Sequence, residues 1–313
     1  MARIILWNSI AQRRRSMSDT FYDNGLATLK GYLQDKGHDV EVIDWARDDF
    51  FQDLSPLFLA KLLRSIYAVM MGTSNVLIQK VLGMLSLPLQ GLLNYIQGYR
   101  LRNCIEDFIT YVRQTGVHIV GVKMWYGQAF VNAQYLVRRL KEELPDIIAI
   151  AGGYHDTLYE EHILNSCVFD LGAVCEGEFP LEKILSVIDK HAIDWNKARA
   201  LDEIVHLAEE GAIENLIYRK DQAIKKTARH ALTIHSSKSI PRYKQEEGKV
   251  RIHVMVESLG CDWGQCNFCV HPYFYPHYSL RDPEEIVREI KAMQKVGIGI
   301  FRFAGSDTPP SFG

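Results

Sequence analysis

Three cysteines, Cys261, Cys266 and Cys269, fall within nine residues of the segment running from Glu257 to Val270, on a glycine-containing loop that follows an apolar run. Thiolates at this spacing can close on a metal. Three ligands are one fewer than a structural zinc site uses, whereas a site that does chemistry keeps a position open. An iron–sulfur cluster held by three cysteines would leave one iron free for a substrate or cofactor. His271 and His277 follow closely, and either could complete a Cys3His zinc site instead. The other cysteines, Cys104, Cys167 and Cys175, are scattered through apolar surroundings and read as small buried hydrophobes. Six cysteines in 313 residues do not make a disulfide framework.

The elements that must hold this loop are legible. An apolar strand, Val250 to Glu257, delivers it, and a helix follows with Asp282 as its cap, Pro283 at its first position and Lys295 near its end. A further strand runs from Gly299 to Phe303. Strand, loop, helix and strand make the opening of a second parallel α/β domain over residues 249–313. A barrel of parallel strands needs roughly 200 residues or more, so the expectation is the N-terminal part of one, either because the chain is a fragment or because something else completes the second domain.

Residues 1–190 alternate apolar strands, at 2–7, 39–44, 117–122, 147–151 and 170–175, with helical patterns. That alternation implies an α/β fold with a flavodoxin-like doubly wound parallel sheet, which binds ligands at the carboxyl ends of its strands. The distinctive loops fall at those ends: Asn8-Ser9, Trp125-Tyr126-Gly127, Gly152-Gly153-Tyr154-His155 and Glu176-Gly177-Glu178. Glycine there lets backbone approach a ligand closely, although a tight turn also favours it. A helical insertion is expected over about 50–115. Residues 191–248 turn polar and irregular, with a hairpin between Glu214 and Thr227 across Asp221-Gln222 and a linker near Ser236 to Pro241.

A net charge of -2 argues against a nucleic-acid surface. The run Arg13-Arg14-Arg15 reads as a solvated loop or as a contact for an anion. The N-terminal apolar run is too short for a signal peptide, and the expected setting is the reducing cytoplasm. From Val81 to Tyr99 there is no charged residue, approaching the length of a membrane span. Pro88, Gly83, Gly91 and several amide side chains interrupt it, so the expectation is a pair of buried or substrate-covering helices and no membrane span.

In this order of parts the chain resembles the cobalamin-binding radical S-adenosylmethionine (SAM) enzymes: a flavodoxin-like domain with Gly152-Gly153 and Glu176-Gly177-Glu178, a hairpin and linker, then strand, cysteine loop and helix. Two departures stand out. Most members space the cysteines C-x3-C-x2-C, whereas four residues, Asp262 to Gln265, fill the first gap here. No D-x-H-x-x-G motif is present, so no histidine is offered as a lower cobalt ligand, as in the many members that bind cobalamin with its base displaced.

The resemblance implies a 4Fe-4S cluster on Cys261, Cys266 and Cys269, whose fourth iron chelates SAM. Reductive cleavage then gives methionine and a 5′-deoxyadenosyl radical, with the electron coming from a donor such as flavodoxin or ferredoxin. Phe268 would pack beside the cluster or adenine, or simply within the core of the loop. Gly305 and Asp307 would meet the SAM amino group, or form an ordinary turn. Cobalamin would lie across the strand ends at Asn8, Ser9, Trp125, Tyr126, Gly152, Gly153, Glu176 and Gly177. The implied activity is methyl transfer to an unactivated carbon, and the apolar insertion suggests a hydrophobic substrate, although members also cyclise, contract rings or oxidise. The competing reading, from another class, is a non-catalytic corrinoid- or nucleotide-binding module with a zinc-stapled extension.

Overall fold

The computed structural model describes residues 1–10, 23–166, 169–229, 239–243, 252–269 and 271–303. The chain runs β1 (Arg3–Asn8), α1 (Asn24–Asp35), β2 (Asp39–Asp44), α2 (Asp48–Leu54), α3 (Leu57–Gly72), α4 (Val76–Thr115), β3 (Ile119–Lys123), α5 (Gln128–Glu143) and β4 (Ile148–Gly152). It continues through α6 (Tyr154–Tyr159), α7 (Glu161–Ser166), β5 (Leu171–Ala173), α8 (Glu178–His191), α9 (Lys197–Glu209), β6 (Leu216–Lys220) and β7 (Ala223–Lys226). The last elements are β8 (Ile252–Met255), β9 (Ser258–Leu259), α10 (His271–Phe274), β10 (Ser279–Leu280), α11 (Pro283–Lys295) and β11 (Ile300–Phe303).

Strands β1 to β7 form one sheet in the order β2-β1-β3-β4-β5-β6-β7, with the first five parallel. This is the flavodoxin-like order. Ile4, Ile5, Trp7, Ile119, Val120, Ile148 and Ala149 have no exposed surface, because helices cover both faces. The end of α4 and α5 pack on one face, and α1, α8 and α9 on the other.

Two regions depart from the sequence-based expectation. The stretch after residue 190 is not irregular throughout: α9 buries Ala200, Ile204 and Ala208. That stripe is one residue wide at four-residue spacing, and the charges around it hide it. The hairpin turns through Asp221 and Gln222, both at positive φ, as a two-residue hairpin turn requires. It is not a free-standing connector, since β6 pairs antiparallel with β5 and extends the sheet.

The second departure is α4, which passes unbroken through Pro88 where two helices were expected. Its later part buries Leu101, Ile105, Phe108, Ile109 and Val112 against the sheet, and so serves as the crossover between β2 and β3. Its earlier part pairs with α3 and projects with most residues exposed, which overturns the expectation of buried helices. Gln97 anchors the base of the projection by donating to Ser55 Oγ at 2.9 Å.

In the second unit β8 and β11 pair in parallel with α11 between them, the expected start of a β/α repeat. The Asp282 carboxylate accepts from Glu284 N–H at 2.9 Å and Pro283 begins the helix. A strap, residues 239–243, ties this unit to the sheet. Arg242 N–H donates to the Ala27 carbonyl at 2.9 Å, and Gly31 lets the Ile240 carbonyl lie where any side chain on α1 would collide with it. The Tyr243 hydroxyl reaches Asn24 Oδ1 at 3.2 Å and His253 Nδ1 at 2.7 Å.

Candidate cofactor-binding site

A cavity of about 240 Å³ opens at the carboxyl ends of β1, β3, β4 and β5. Gly121 to Lys123 and Ile150 to Gly153 form its floor, and the openings of α1 and α8 its walls. Phe274 and Tyr275, from the cysteine-bearing unit, close it from above. Strand ends in a doubly wound sheet are where that fold receives ligands.

The glycines here are of two kinds. Gly153 has φ +109 and a Cβ on it would press the Met124 carbonyl at 3.3 Å, so the backbone itself demands glycine. Gly177 has φ -86, and Gly152 lies outside the left-handed region. A Cβ at Gly152 would meet only the Ala173 side chain and carbonyl, at 3.8 Å, and one at Gly177 only leucine methyls, nearest at 3.8 Å. The fold does not require glycine at these two positions. What their missing side chains do is leave the cavity open and its backbone approachable.

Polar groups at the cavity are few and fixed. Thr157 Oγ1 accepts from Cys175 N–H at 2.8 Å and so pins the end of β5, where Cys175 sits at φ +56. Burial, helped by the Glu176 charge, pushes the Cys175 thiol up to about 11, and burial also raises the Glu178 carboxyl. The wall therefore offers an inert thiol and a carboxyl that holds its proton more tightly than usual. Cys175 and Cys104 are half-buried rather than buried, and Cys167 lies outside the described residues.

Gly152, Gly153, Glu176 and Gly177 thus meet at one cavity. Asn8, Ser9, Trp125 and Tyr126 do not line it. Asn8 is a buried hub: its amide donates to Asp44 Oδ1 at 2.8 Å and Asp23 Oδ2 at 3.1 Å, and its carbonyl accepts from Trp125 Nε1 at 2.9 Å. Lys123 pairs with Asp23 and lies over the Trp125 ring at 4.8 Å. Ser9 Oγ donates to the Ala129 carbonyl, and Tyr126 stands exposed. Sequence reasoning missed Lys123, Thr157, Phe274 and Tyr275. Only Thr157, one turn after the glycine pair, carries a local signal.

The cysteine loop leaves β8 through Gly260, at φ +76, where a Cβ would overlap the His277 carbonyl. Gly264, at φ +57, takes up the long first gap in a left-handed turn, and Cys269 N–H closes on the Cys266 carbonyl at 3.0 Å. Cys261 and Cys269 are half-buried and Cys266 is exposed. Among the described residues no three His, Cys, Asp or Glu side chains converge as ligands of one ion would. Phe268 is 89% exposed, so it does not pack the core of the loop. Gly305 and Asp307 lie outside the described residues.

The loop and the cavity are joined by a short segment. Directly after Cys269, α10 carries Phe274 to the cavity mouth. The Arg229 guanidinium lies over the Tyr273 ring at 4.7 Å, donates to its hydroxyl at 2.8 Å and to the Thr157 carbonyl at 2.9 Å, and pairs with Glu160.

Residues 87–185 match the B12 binding domain family. The anaerobic magnesium-protoporphyrin IX monomethyl ester cyclase of Rubrivivax gelatinosus is 23% identical over 189 residues, covering 57% of this chain and 32% of that protein. The structure of the cobalamin-dependent S-adenosylmethionine radical enzyme OxsB with aqua-cobalamin and S-adenosylmethionine bound aligns with a TM-score of 0.60 at 13% identity, over 98% of this chain and 34% of that chain. OxsB with aqua-cobalamin alone gives 0.61 at 13% identity. At such identity the likeness to OxsB is one of fold. The chain spans about a third of the length of these relatives.

Proposed function

We propose, from a chain that resembles the cobalamin-binding radical SAM enzymes in sequence and in fold, that it forms the corrinoid-binding sheet and the first repeat of the radical SAM domain of such an enzyme. One observation carries the reading. The segment that bears the three cysteines also roofs the cavity at the sheet, so a cluster and a corrinoid would be held against each other by one short piece of chain.

Gly152, Gly153, Glu176 and Gly177 would receive the displaced nucleotide tail of cobalamin, and Cys261, Cys266 and Cys269 a 4Fe-4S cluster. When bound, the cluster with SAM supplies a radical and the corrinoid a transferable methyl group. The protein's own part is to position and to shield. The glycines let the tail lie on the backbone, while Phe274 and Tyr275 exclude water from the space between sheet and loop. No D-x-H-x-x-G histidine occurs in the sequence, so the lower face of the corrin would meet no protein ligand of that type. The activity that suits this pairing is methyl transfer to an unactivated carbon of a hydrophobic substrate.

Anaerobic reconstitution of the full chain tests the reading. It should take up about four irons with matching sulfide, and Cys266→Ala should abolish that uptake. One zinc and no iron would overturn the cluster assignment. Hydroxocobalamin should bind at micromolar concentration with a base-displaced spectrum, and failure to bind would overturn the cavity assignment while leaving the cluster untouched.

A further inference from the structure

The projection formed by α3 and the first part of α4, residues 57–99, is unlike the rest of the surface. Its own core is small, built on Leu59, Leu63 and Leu93. Around that core Phe58, Met71, Leu77, Met84, Leu87 and Tyr95 are each 66–81% exposed. Helix α4 holds an 18-residue stretch apolar enough to cross a bilayer, and only 11% of that stretch is buried. The core helix of a soluble domain would bury most of it. Exposed apolar surface on this scale marks an interaction site.

The charge of this region says what would cover it. Between Leu54 and Ile105 the sequence carries Lys61, Arg64, Lys80, Arg100 and Arg102 and no aspartate or glutamate, in a chain whose net charge is -2. All five are exposed, and among the described residues no carboxylate pairs with any of them. A second copy of the projection would set cations against cations. A bilayer with anionic headgroups satisfies both features, taking apolar side chains into the acyl boundary and basic ones at the phosphates. Tyr67, Tyr95 and Tyr99 are exposed aromatic residues of the kind that favours that boundary. Lys61 and Arg64 sit within α3, so a crossing hairpin would carry them into hydrocarbon at high cost.

We propose that the 57–99 projection docks this chain on an anionic lipid surface, lying within the interface rather than crossing the membrane. The inference stands apart from the cofactor reading, since it uses none of the residues around the cavity or the cysteine loop.

Flotation of the full chain with vesicles tests it. The chain should float with phosphatidylcholine vesicles containing roughly a third phosphatidylglycerol, far less with phosphatidylcholine alone, and should be released by salt as screening shortens the reach of the charges. Replacing Lys61, Arg64 and Lys80 together by Gln should lower binding to the anionic vesicles on the order of a hundredfold. Met84→Ser with Leu87→Ser should lower it independently while leaving the salt dependence in place. Circular dichroism and thermal unfolding, unchanged in both variants, separate loss of docking from loss of fold. Equal recovery on both kinds of vesicle, or none on either, would overturn the proposal. So would a salt-insensitive dimer that Met84→Ser with Leu87→Ser dissociates, which would assign the surface to a second copy.

Discussion

In the sheet domain, burial pushes the Asp44 carboxyl, at the end of β2, up to about 6, with the Asp23 charge adding to it, and burial also raises Asp156 on α6 and Glu178 on α8. In the cysteine-bearing unit the buried carboxyl moves the other way. Burial alone would raise Glu289, but its hydrogen bond from His253 and the Arg281 guanidinium hold it below the ordinary range. The difference reflects what each region is made of. The sheet is enclosed by apolar side chains on both faces, so a carboxyl buried there is pushed toward its neutral form; both oxygens of Asp156 are buried with no hydrogen-bond partner, while Asp44 still accepts from Asn8 and from Ala46 N–H. The cysteine-bearing unit buries few apolar side chains among its described residues, chiefly Met255, Phe274, Met293 and Ile298. Its centre is ionic instead, with His253 Nε2 donating to Glu289 Oε1 at 2.6 Å and Arg281 paired with the same carboxylate.

That contrast is broken most severely at Glu289. Glu289→Ala would leave His253, fully buried, and Arg281 without their carboxylate. Removing one partner of a buried pair costs about 3–5 kcal/mol, so the variant should open β8 and α11 to hydrogen exchange while β1 to β5 stay protected. Equal loss of protection in the sheet would show that the two regions do not differ as argued. Gly260→Ala comes next. It forces a side chain into left-handed backbone and against the His277 carbonyl, at a cost of at least about 2 kcal/mol. The expected readout is faster reaction of the cysteine thiols with a disulfide reagent, with unchanged unfolding of the sheet.

How much of this was legible in the sequence follows the same division. The inner parallel strands announce themselves as apolar runs because both faces are covered, the half-buried edge strand β2 by its alternation, and the hairpin by its turn residues, Asp221 and Gln222. Gly152-Gly153 and Glu176-Gly177 drew notice because distinctive glycine loops recur at the same edge of the sheet, although a tight turn alone would account for any one of them. Asn8 is ambiguous in the sequence, since a strand-end asparagine looks the same whether it faces a ligand or holds neighbours together, and the structure shows it joining Asp44, Asp23 and Trp125. Phe274 and Tyr275 were invisible as cavity residues because their place depends on how the second unit docks. Pro88 suggested a break, yet α4 runs through it with Ser86 bonded to the Gly83 carbonyl close by. A tertiary contact or a proline accommodated within a helix leaves no periodic signal.

Gly152→Val sharpens the contrast from the side of the sheet. The backbone there is ordinary and the nearest contact for a Cβ lies at 3.8 Å, so stability should change by no more than about 1 kcal/mol. Hydroxocobalamin binding should fall at least tenfold, because the added bulk enters a cavity of about 240 Å³. A variant that loses stability but keeps binding would make Gly152 a residue of the fold and not of the site.

The smallest effect, and the most direct test of the opposed carboxyls, is pH. A carboxyl whose folded value lies above its unfolded one contributes stability while protonated, and loses it as pH rises from about 4 through the folded value. Asp44 at about 6 therefore strengthens the sheet as pH falls from 7 toward 5. Glu289, held below the ordinary range, contributes fully above its unfolded value of about 4.3 and loses its contribution as pH falls further. Over pH 7 to 5 protection factors, exchange rates taken relative to the intrinsic base-catalysed rate at each pH, should rise in β1 to β3 and stay level in β8 and α11; below pH 4 the cysteine-bearing unit should lose protection first. Asp44→Asn should flatten the response of the sheet alone. Protection factors that rise or fall together in both regions over pH 7 to 5 would mean that the two sets of buried carboxyls are not governed by the surroundings described here.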